Sequence, residues 1–505
     1  MSGATRRDRV VVVGAGVGGL VAALWLAADG LDVTVLEAAD APGGKLQAQP
    51  LAGTWLDAGP TVFTMRWVFD ALAARLGKRL DDALPLAPLH TLARHTWRDG
   101  SQLDLFADFE ATVDAIGRFA GAADARGFRA FSARARAQHD TLLPSFMNAQ
   151  RPNPVSLSWR VATHGLAGLG RISPFGSMWH GLGRHFQDAR LRQLFGRYAT
   201  YCGSSPLLAP ATLMLVAHVE QQGVWSVPGG MHRLASTLAT WLAELGVLVR
   251  CGARVSELQQ QGGRISGVVL ASGEVVPARC VVFNGDVSAL AAGHLGPAVQ
   301  RAAPAVTAQR RSLSAITWTA VLPRVQADLL RHNVYFSDDS PREFRALFAQ
   351  RRLPTQPTVY VCAQDRENGH TPSDTERLLC LVNAPADGDT TDGQVNADAC
   401  EQRMLAHLAQ CGLPLPWEQG TVRRSTPHDF ERRYPGSGGA LYGRASHGWQ
   451  ASFARAGARC ALPGLYLAGG GVHPGPGVPM AALSGQRAAE CVAHDLGLAD
   501  HRRSA

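Results

Sequence analysis

The chain has 505 residues, more than one hydrophobic core usually supports, so two or three domains are expected, interleaved or in a row. A hydrophobic fraction of 46%, with 18% charged residues and 54 glycines, excludes a disordered or fibrous chain and reads as a globular α/β enzyme. The net charge of +8 comes from arginines scattered along the chain, and no nucleic-acid-binding motif accompanies it, so nucleic acid is excluded as a partner.

Arg6, Arg7 and Arg9 precede an uncharged run from Val10 to Ala28 that has the length of a signal peptide or membrane span. The run divides into a β-branched strand at Val10–Val13, a glycine turn and an Ala/Leu helix, and a glycine turn is a poor membrane centre. No other uncharged apolar run reaches spanning length, so the chain is expected to be soluble or to lie on a membrane surface. The nine cysteines, from Cys202 to Cys491, are odd in number and form no C-x-x-C pair, which predicts reduced structural thiols in the cytoplasm. No metal is expected.

Gly14, Gly16 and Gly19 stand in the G-x-G-x-x-G register directly after a strand and at the mouth of a helix, with Gly18 inside the same turn. Gly14 permits the tight turn, Gly16 lets backbone approach a pyrophosphate, and Gly19 lets helix pack on strand, while the helix N-terminus offers free N–H groups to phosphate. A second predicted strand, Val33–Leu36, ends at Glu37, where a carboxylate can accept both ribose hydroxyls and disfavours a 2′-phosphate. Strand, glycines, helix, strand and acid in register predict a dinucleotide-binding fold.

Next come Pro42-Gly43-Gly44-Lys45-Leu46 and Trp55-Leu56-Asp57-Ala58-Gly59-Pro60-Thr61. The first segment resembles the amine oxidase and phytoene desaturase flavoproteins, and the resemblance implies FAD rather than NAD. It further implies that Gly43, Gly44, Lys45, Leu46, Gly59, Pro60 and Thr61 run along the pyrophosphate and flavin. The hairpin signal Arg98-Asp99-Gly100 and predicted strands at Ser314–Val321 and Pro357–Cys362 suggest a sheet walling a substrate chamber.

The stretch from Phe109 to Gln222 reads mostly helical and sets Arg118, Arg126, Arg129, Arg134 and Arg136 among aromatics and alanines. Within it, His164–Phe186 places Phe175, Trp179 and Phe186 beside Arg171 and Arg184, a combination suited to an anionic headgroup layer.

Val224–Arg233, VWSVPGGMHR, resembles a proline-glycine-methionine segment of the same family, followed by a predicted helix to Leu245 and a strand at Val247–Arg250. Arg254–Leu258 is the next strand, and the resemblance implies that its backbone near Val255 contacts adenine. Turn signals at Gly262-Gly263 and Ser272-Gly273 predict a β-meander before a strand at Val281–Phe283, which leads into Asn284, a further expected cofactor residue.

Pro463–Gly485, PGLYLAGGGVHPGPGVPMAALSG, reads as a short strand, a glycine and proline loop and an Ala-rich helix entered through Pro479. It resembles the C-terminal signature of bacterial carotenoid desaturases. The resemblance implies that Gly470, Gly471, Val478, Pro479 and Met480 close over the flavin, with the helix N-terminus favouring its anionic reduced form. Val472 and Pro476 depart from that signature, which puts side-chain contacts in doubt and leaves the backbone path. His473 is the candidate proton acceptor or orienting group; Asp57, Arg66 and Trp449 are weaker candidates.

The expected fold is therefore α/β: a discontinuous Rossmann-like FAD domain (1–75, 224–290 and 424–505), an inserted substrate-binding β-sheet domain (76–108 and 291–423) and a helical subdomain (109–223) with possible membrane contact. Ser312–Trp318, Arg331–Ser337, Tyr360–Arg366, Gly439–Gly443 and His447-Gly448-Trp449 resemble the hydroxyneurosporene desaturases of phototrophic bacteria, over nearly the whole chain. That resemblance implies C3–C4 desaturation of 1-hydroxy acyclic carotenoids by hydride transfer to flavin, with oxygen or a quinone as the open choice of electron acceptor and a peripheral position at the cytoplasmic membrane. His332, Asn333 and Gln364 are candidates, by residue type, for bonding the 1-hydroxyl. Phytoene desaturase is the nearest alternative and a flavin-free prenyl-lipid carrier the non-enzymatic one; a soluble amine oxidase would want an aromatic cage that the C-terminal signature lacks.

Overall fold

A computed structural model describes residues 9–147, 149, 176–367, 370–372, 374–390, 396–451 and 453–498. Among them the five-stranded parallel sheet runs Leu465–Leu467, Cys280–Phe283, Arg9–Val13, Asp32–Leu36 and Leu248–Arg250. Val10–Val13 form its middle strand because a β-branched run can be covered on both faces. Val10 and Val12 enter one core with the helices Val17–Ala28, His232–Glu244 and Val478–Asp495, while Val11 and Val13 enter another under the meander Val255–Gln261, Arg264–Leu270 and Val275–Pro277. Strands from three separated stretches of sequence thus build one sheet.

A seven-stranded sheet is ordered Thr421–Ser425, Ser314–Pro323, Thr375–Ala384, Val359–Ala363, His332–Tyr335, Thr91–Thr96 and Gln102–Phe106. Its pairs are antiparallel except the parallel join of His332–Tyr335 to Thr91–Thr96. Thr421–Ser425 pairs with Ser314–Pro323, so this sheet continues through position 424, where the expected domain border lay. One face carries Trp318, Tyr335, Val361 and Cys380 against the helix Ala397–Gln410. Because strand side chains alternate, His332, Val334 and Tyr360 point to the opposite face.

The helices Phe109–Ala120, Ala122–Leu142, Met178–Leu182, Ala189–Gly196 and Leu215–Gln221 cover that opposite face. Asp108 starts the first and Asp188 the fourth by accepting the N–H of Ala111 and Arg190 at 2.7 Å. Phe128, Phe131, Phe186 and Phe195 interlock there, with ring centroids 4.8 Å apart for Phe186 and Phe195. Phe186, expected among membrane-facing aromatics, is instead 1% exposed, because the four rings fill the core between helices and sheet. Arg171 and Phe175 lie outside the described residues. No helix among the described residues is long and apolar enough to cross a membrane.

Candidate active site

At the top of the parallel sheet, Gly14 turns the chain at a φ of +98° and donates its N–H to Leu36 O at 2.7 Å. Asn284 lies across this turn, with Nδ2 donating to Gly14 O at 3.2 Å. A Cβ at Gly19 would fall 2.1 Å from Gly14 O, and one at Gly18 would fall 2.6 Å from Asn284 Oδ1. These glycines are therefore required by close packing of backbone, as the motif demands.

The Glu37 carboxylate accepts the N–H of Ala15 at 2.6 Å and of Ala39 at 2.8 Å, which fixes it beside the glycine turn. Ala253 N–H bonds Glu37 O at 2.8 Å and carries the Val255 strand to the same corner. Gly43 N–H bonds Ala15 O at 2.9 Å, so the Gly43-Gly44 turn lies against Gly16. Lys45 Nζ donates to Leu441 O at 2.7 Å and stands 5.3 Å from the centre of the Tyr434 ring, whose hydroxyl donates to Gly44 O; burial lowers the Lys45 pKa. Leu46 is buried in the core below, and Gly59 touches Lys45 O so closely that a Cβ would come within 1.9 Å.

The C-terminal loop returns to this site. A Cβ at Gly470 would meet nothing nearer than 3.8 Å, and one at Gly471 nothing nearer than 3.6 Å. In contrast to Gly18 and Gly19, their backbone presents an open face of the kind a flat ring can lie on. The helix Val478–Asp495 begins behind Gly477 without a side-chain cap, so the first-turn N–H groups around Met480 stay available, while Pro479 lacks one. Acid at one end, glycine turn in the middle, open backbone and an uncapped helix at the other are the features an FAD needs for ribose, pyrophosphate and isoalloxazine.

His473 is 4% exposed, and its Nε2 donates to Phe146 O at 2.9 Å. Burial pushes its pKa down to about 4, so the imidazole is neutral with Nδ1 as its acceptor atom. Arg455, which no local pattern in the sequence singles out, is buried behind the same loop and donates to the carbonyls of Tyr442, Gly470 and Arg444. Burial lowers its pKa to about 10, which still leaves a cation against Gly470.

Asp57 is 2% exposed and binds Met231 N–H and His232, a joint between elements. Arg66 pairs with Asp70 and Asp81 on the surface, and Trp449 is exposed. A trio that sequence spacing did not reveal, His139, Asp140 and His218, brings donor atoms within 4.8 Å of one another on the helices Ala122–Leu142 and Leu215–Gln221.

Between the seven-stranded sheet and the helices lies a cavity lined by Val62, Leu92, Tyr198, Tyr201, His332 and Tyr360, among others. Val62 directly follows Gly59-Pro60-Thr61, the stretch expected to border the flavin. Glu220 accepts the hydroxyls of Tyr198 at 2.5 Å and Tyr201 at 3.1 Å, and burial raises its pKa. Thr61 Oγ1 and the Tyr360 hydroxyl are 2.7 Å apart, and the same hydroxyl is 2.7 Å from His332 Nδ1.

A family model for flavin-containing amine oxidoreductases matches residues 17–493. The chain is 52% identical to hydroxyneurosporene desaturase of Rubrivivax gelatinosus, across 96% of this chain and 93% of that protein. It is 45% identical to hydroxyneurosporene desaturase of Cereibacter sphaeroides, across 97% and 98%. Among solved structures, wild-type putrescine oxidase bound to putrescine superposes with a TM-score of 0.63 at 17% identity, across 97% of this chain and 99% of that one, a likeness of fold alone. The chain is therefore an FAD-dependent oxidoreductase that belongs to the flavin-containing amine oxidoreductase family, on its carotenoid-desaturase branch.

Proposed function

We propose that this chain introduces the C3–C4 double bond into 1-hydroxy acyclic carotenoids such as 1-hydroxyneurosporene. The near full-length similarity to the hydroxyneurosporene desaturases carries this reading. FAD, when bound, supplies the two-electron acceptor for the C–H bonds that are oxidised. Glu37 and the Gly14–Gly19 turn would hold its adenosine and pyrophosphate, Lys45 and the Gly59–Thr61 stretch would border the ring, and Gly470, Gly471 and the helix beyond Gly477 would cover it. His473 Nδ1 is the assigned acceptor of the proton lost from the neighbouring carbon. Val62, Leu92, Leu194, Val224 and Val334 in the cavity wall would supply the apolar contacts that align the polyene.

Peripheral contact with an anionic membrane belongs to the same proposal, because an apolar substrate has to be collected from a bilayer and Arg118, Arg126, Arg129 and Arg136 are exposed on two helices. The deciding experiment incubates the flavin-reconstituted enzyme with 1-hydroxyneurosporene and, separately, phytoene in liposomes, with products identified by chromatography. Conversion of the hydroxylated substrate is expected; conversion of phytoene alone overturns the assignment.

A further inference from the structure

Among the fully buried side-chain polar atoms of the cavity wall, the ring nitrogen Nε2 of His332 lacks a partner. His332 is 4% exposed, and its Nε2 has no hydrogen-bond partner among the described residues, while its Nδ1 is held by the Tyr360 hydroxyl. Most neighbouring polar groups are engaged, and the Arg197 guanidinium stands over the rings of Tyr201 and Tyr360. Glu220 is bonded by two tyrosines. Asn333 points away from the cavity, to the face packed against the helix Ala397–Gln410, and closes its amide on Leu330 and Val361, and Gln364 closes its amide on the peptide of Asp57. His95, also in the wall, meets Leu103 O through Nδ1 and stacks on Phe336.

Burial holds the His332 imidazole neutral by pushing its pKa down to about 3. A neutral imidazole has one donor and one acceptor nitrogen. If Nδ1 accepts from Tyr360, Nε2 carries the proton and donates; if Nδ1 donates, Nε2 accepts. An alcohol satisfies either arrangement, and a hydrocarbon end satisfies neither.

The hydroxyl of a 1-hydroxy polyene stands on C1, two carbons from the first carbon of the bond oxidised. A group that binds it has to lie at the cofactor end of the cavity, and the Thr61–Tyr360–His332 chain of hydrogen bonds begins in the stretch assigned to the flavin. We infer that His332 Nε2 is the hydrogen-bond partner of the substrate's terminal hydroxyl, oriented by Tyr360 and Thr61, and that it sets the preference for a hydroxylated over an unhydroxylated chain end. This rests on the desaturase reading above. Seating an unhydroxylated end would leave a buried ring nitrogen unpaired, the strongest basis for rejecting a substrate that lacks a polar group.

The test compares kcat/KM for 1-hydroxyneurosporene and for neurosporene, the same polyene without the hydroxyl, in wild-type, His332→Phe, His332→Gln, Tyr360→Phe and His95→Phe holoenzymes. Flavin content and circular dichroism check folding. The wild type is expected to favour the hydroxylated substrate. His332→Phe is expected to lower that preference roughly 10- to 100-fold, with turnover of neurosporene retained or raised. His332→Gln, which keeps a polar amide, should regain part of it, and Tyr360→Phe should fall between. If His332→Phe does not fold, the Gln and Tyr360 variants decide. A substrate ratio unmoved by the His332 and Tyr360 variants, or lost instead in His95→Phe, overturns the inference alone. A wild type inactive on 1-hydroxyneurosporene overturns the desaturase reading and the inference with it.

Discussion

The carboxylate of Asp57 accepts the backbone N–H of Met231 at 2.6 Å, which ties the strand Thr54–Asp57 to the start of the helix His232–Glu244. The Asp57 peptide meanwhile exchanges two hydrogen bonds with Gln364, directly after the strand Val359–Ala363 of the seven-stranded sheet. One residue therefore clamps the helix His232–Glu244, packed on the parallel sheet, to the end of a strand of the seven-stranded sheet. Asp57→Ala strands the Met231 and His232 N–H groups without solvent to replace the carboxylate. It is expected to destabilise the fold by about 3 kcal/mol, read as a lower thermal midpoint, with Asp57→Asn less affected.

Glu37 holds the Ala15 and Ala39 N–H groups while standing where ribose hydroxyls would be received. Glu37→Gln keeps the shape but removes the charge that strengthens every bond the side chain accepts. Titration of the apoprotein with FAD should show affinity reduced by roughly 10- to 100-fold, with secondary structure unchanged. Equal FAD affinity in the variant would remove Glu37 from the cofactor site.

The parts of this fold legible in the sequence were those written locally. Gly14 to Gly19, Glu37 and the Gly43-Gly44 pair are short patterns whose backbone needs dictate the residue type, and the meander announced itself through Gly262-Gly263 and Ser272-Gly273. The cavity was not legible, because Thr61, Tyr198, Glu220, His332 and Tyr360 come from separate elements and meet only after the sheet and helices pack. His332 and Asn333 looked equivalent as residue types; the two-residue period of a strand, unknown until its partners were fixed, sends one to the cavity and the other to the opposite face. Phe186 misled for the converse reason, since an aromatic beside arginines looks the same in sequence whether it faces a lipid or three other phenylalanines.

Three buried histidines and the half-buried His447 make the fold acid-sensitive. Burial pushes His447 and His473 down to about 4 and His95 and His332 down to about 3, from an ordinary 6.5. Below 6.5 the unfolded chain takes up protons that the folded one does not, so stability falls as pH falls from 6.5 towards 4, and for His95 and His332 towards 3. The loss is roughly 1.4 kcal/mol per pH unit for each residue. His447 Nε2 accepts Ser205 N–H at 3.0 Å, a bond that protonation removes. Thermal midpoints measured between pH 7 and pH 4.5 should decline, and His447→Gln should show a shallower decline than wild type.

Gly485 tests the packing that sets the helix Val478–Asp495 against the glycine turn. A Cβ there would fall 2.1 Å from Gly18 O, a backbone atom of the glycine-turn helix that cannot swing aside. Replacing a helix-interior glycine with alanine ordinarily stabilises by about 1 kcal/mol. That gain applies at Gly117 in the helix Phe109–Ala120, where the new Cβ would meet Ala125 Cβ at an ordinary 3.6 Å. At Gly485 the overlap outweighs it: the two helices must separate, at a cost of roughly 1 to 3 kcal/mol. The N-terminus of Val478–Asp495 then shifts with its helix. Gly117→Ala should raise the thermal midpoint and leave flavin affinity alone, whereas Gly485→Ala should lower both; a neutral Gly485→Ala would mean that the helix is not held against the glycine turn as described.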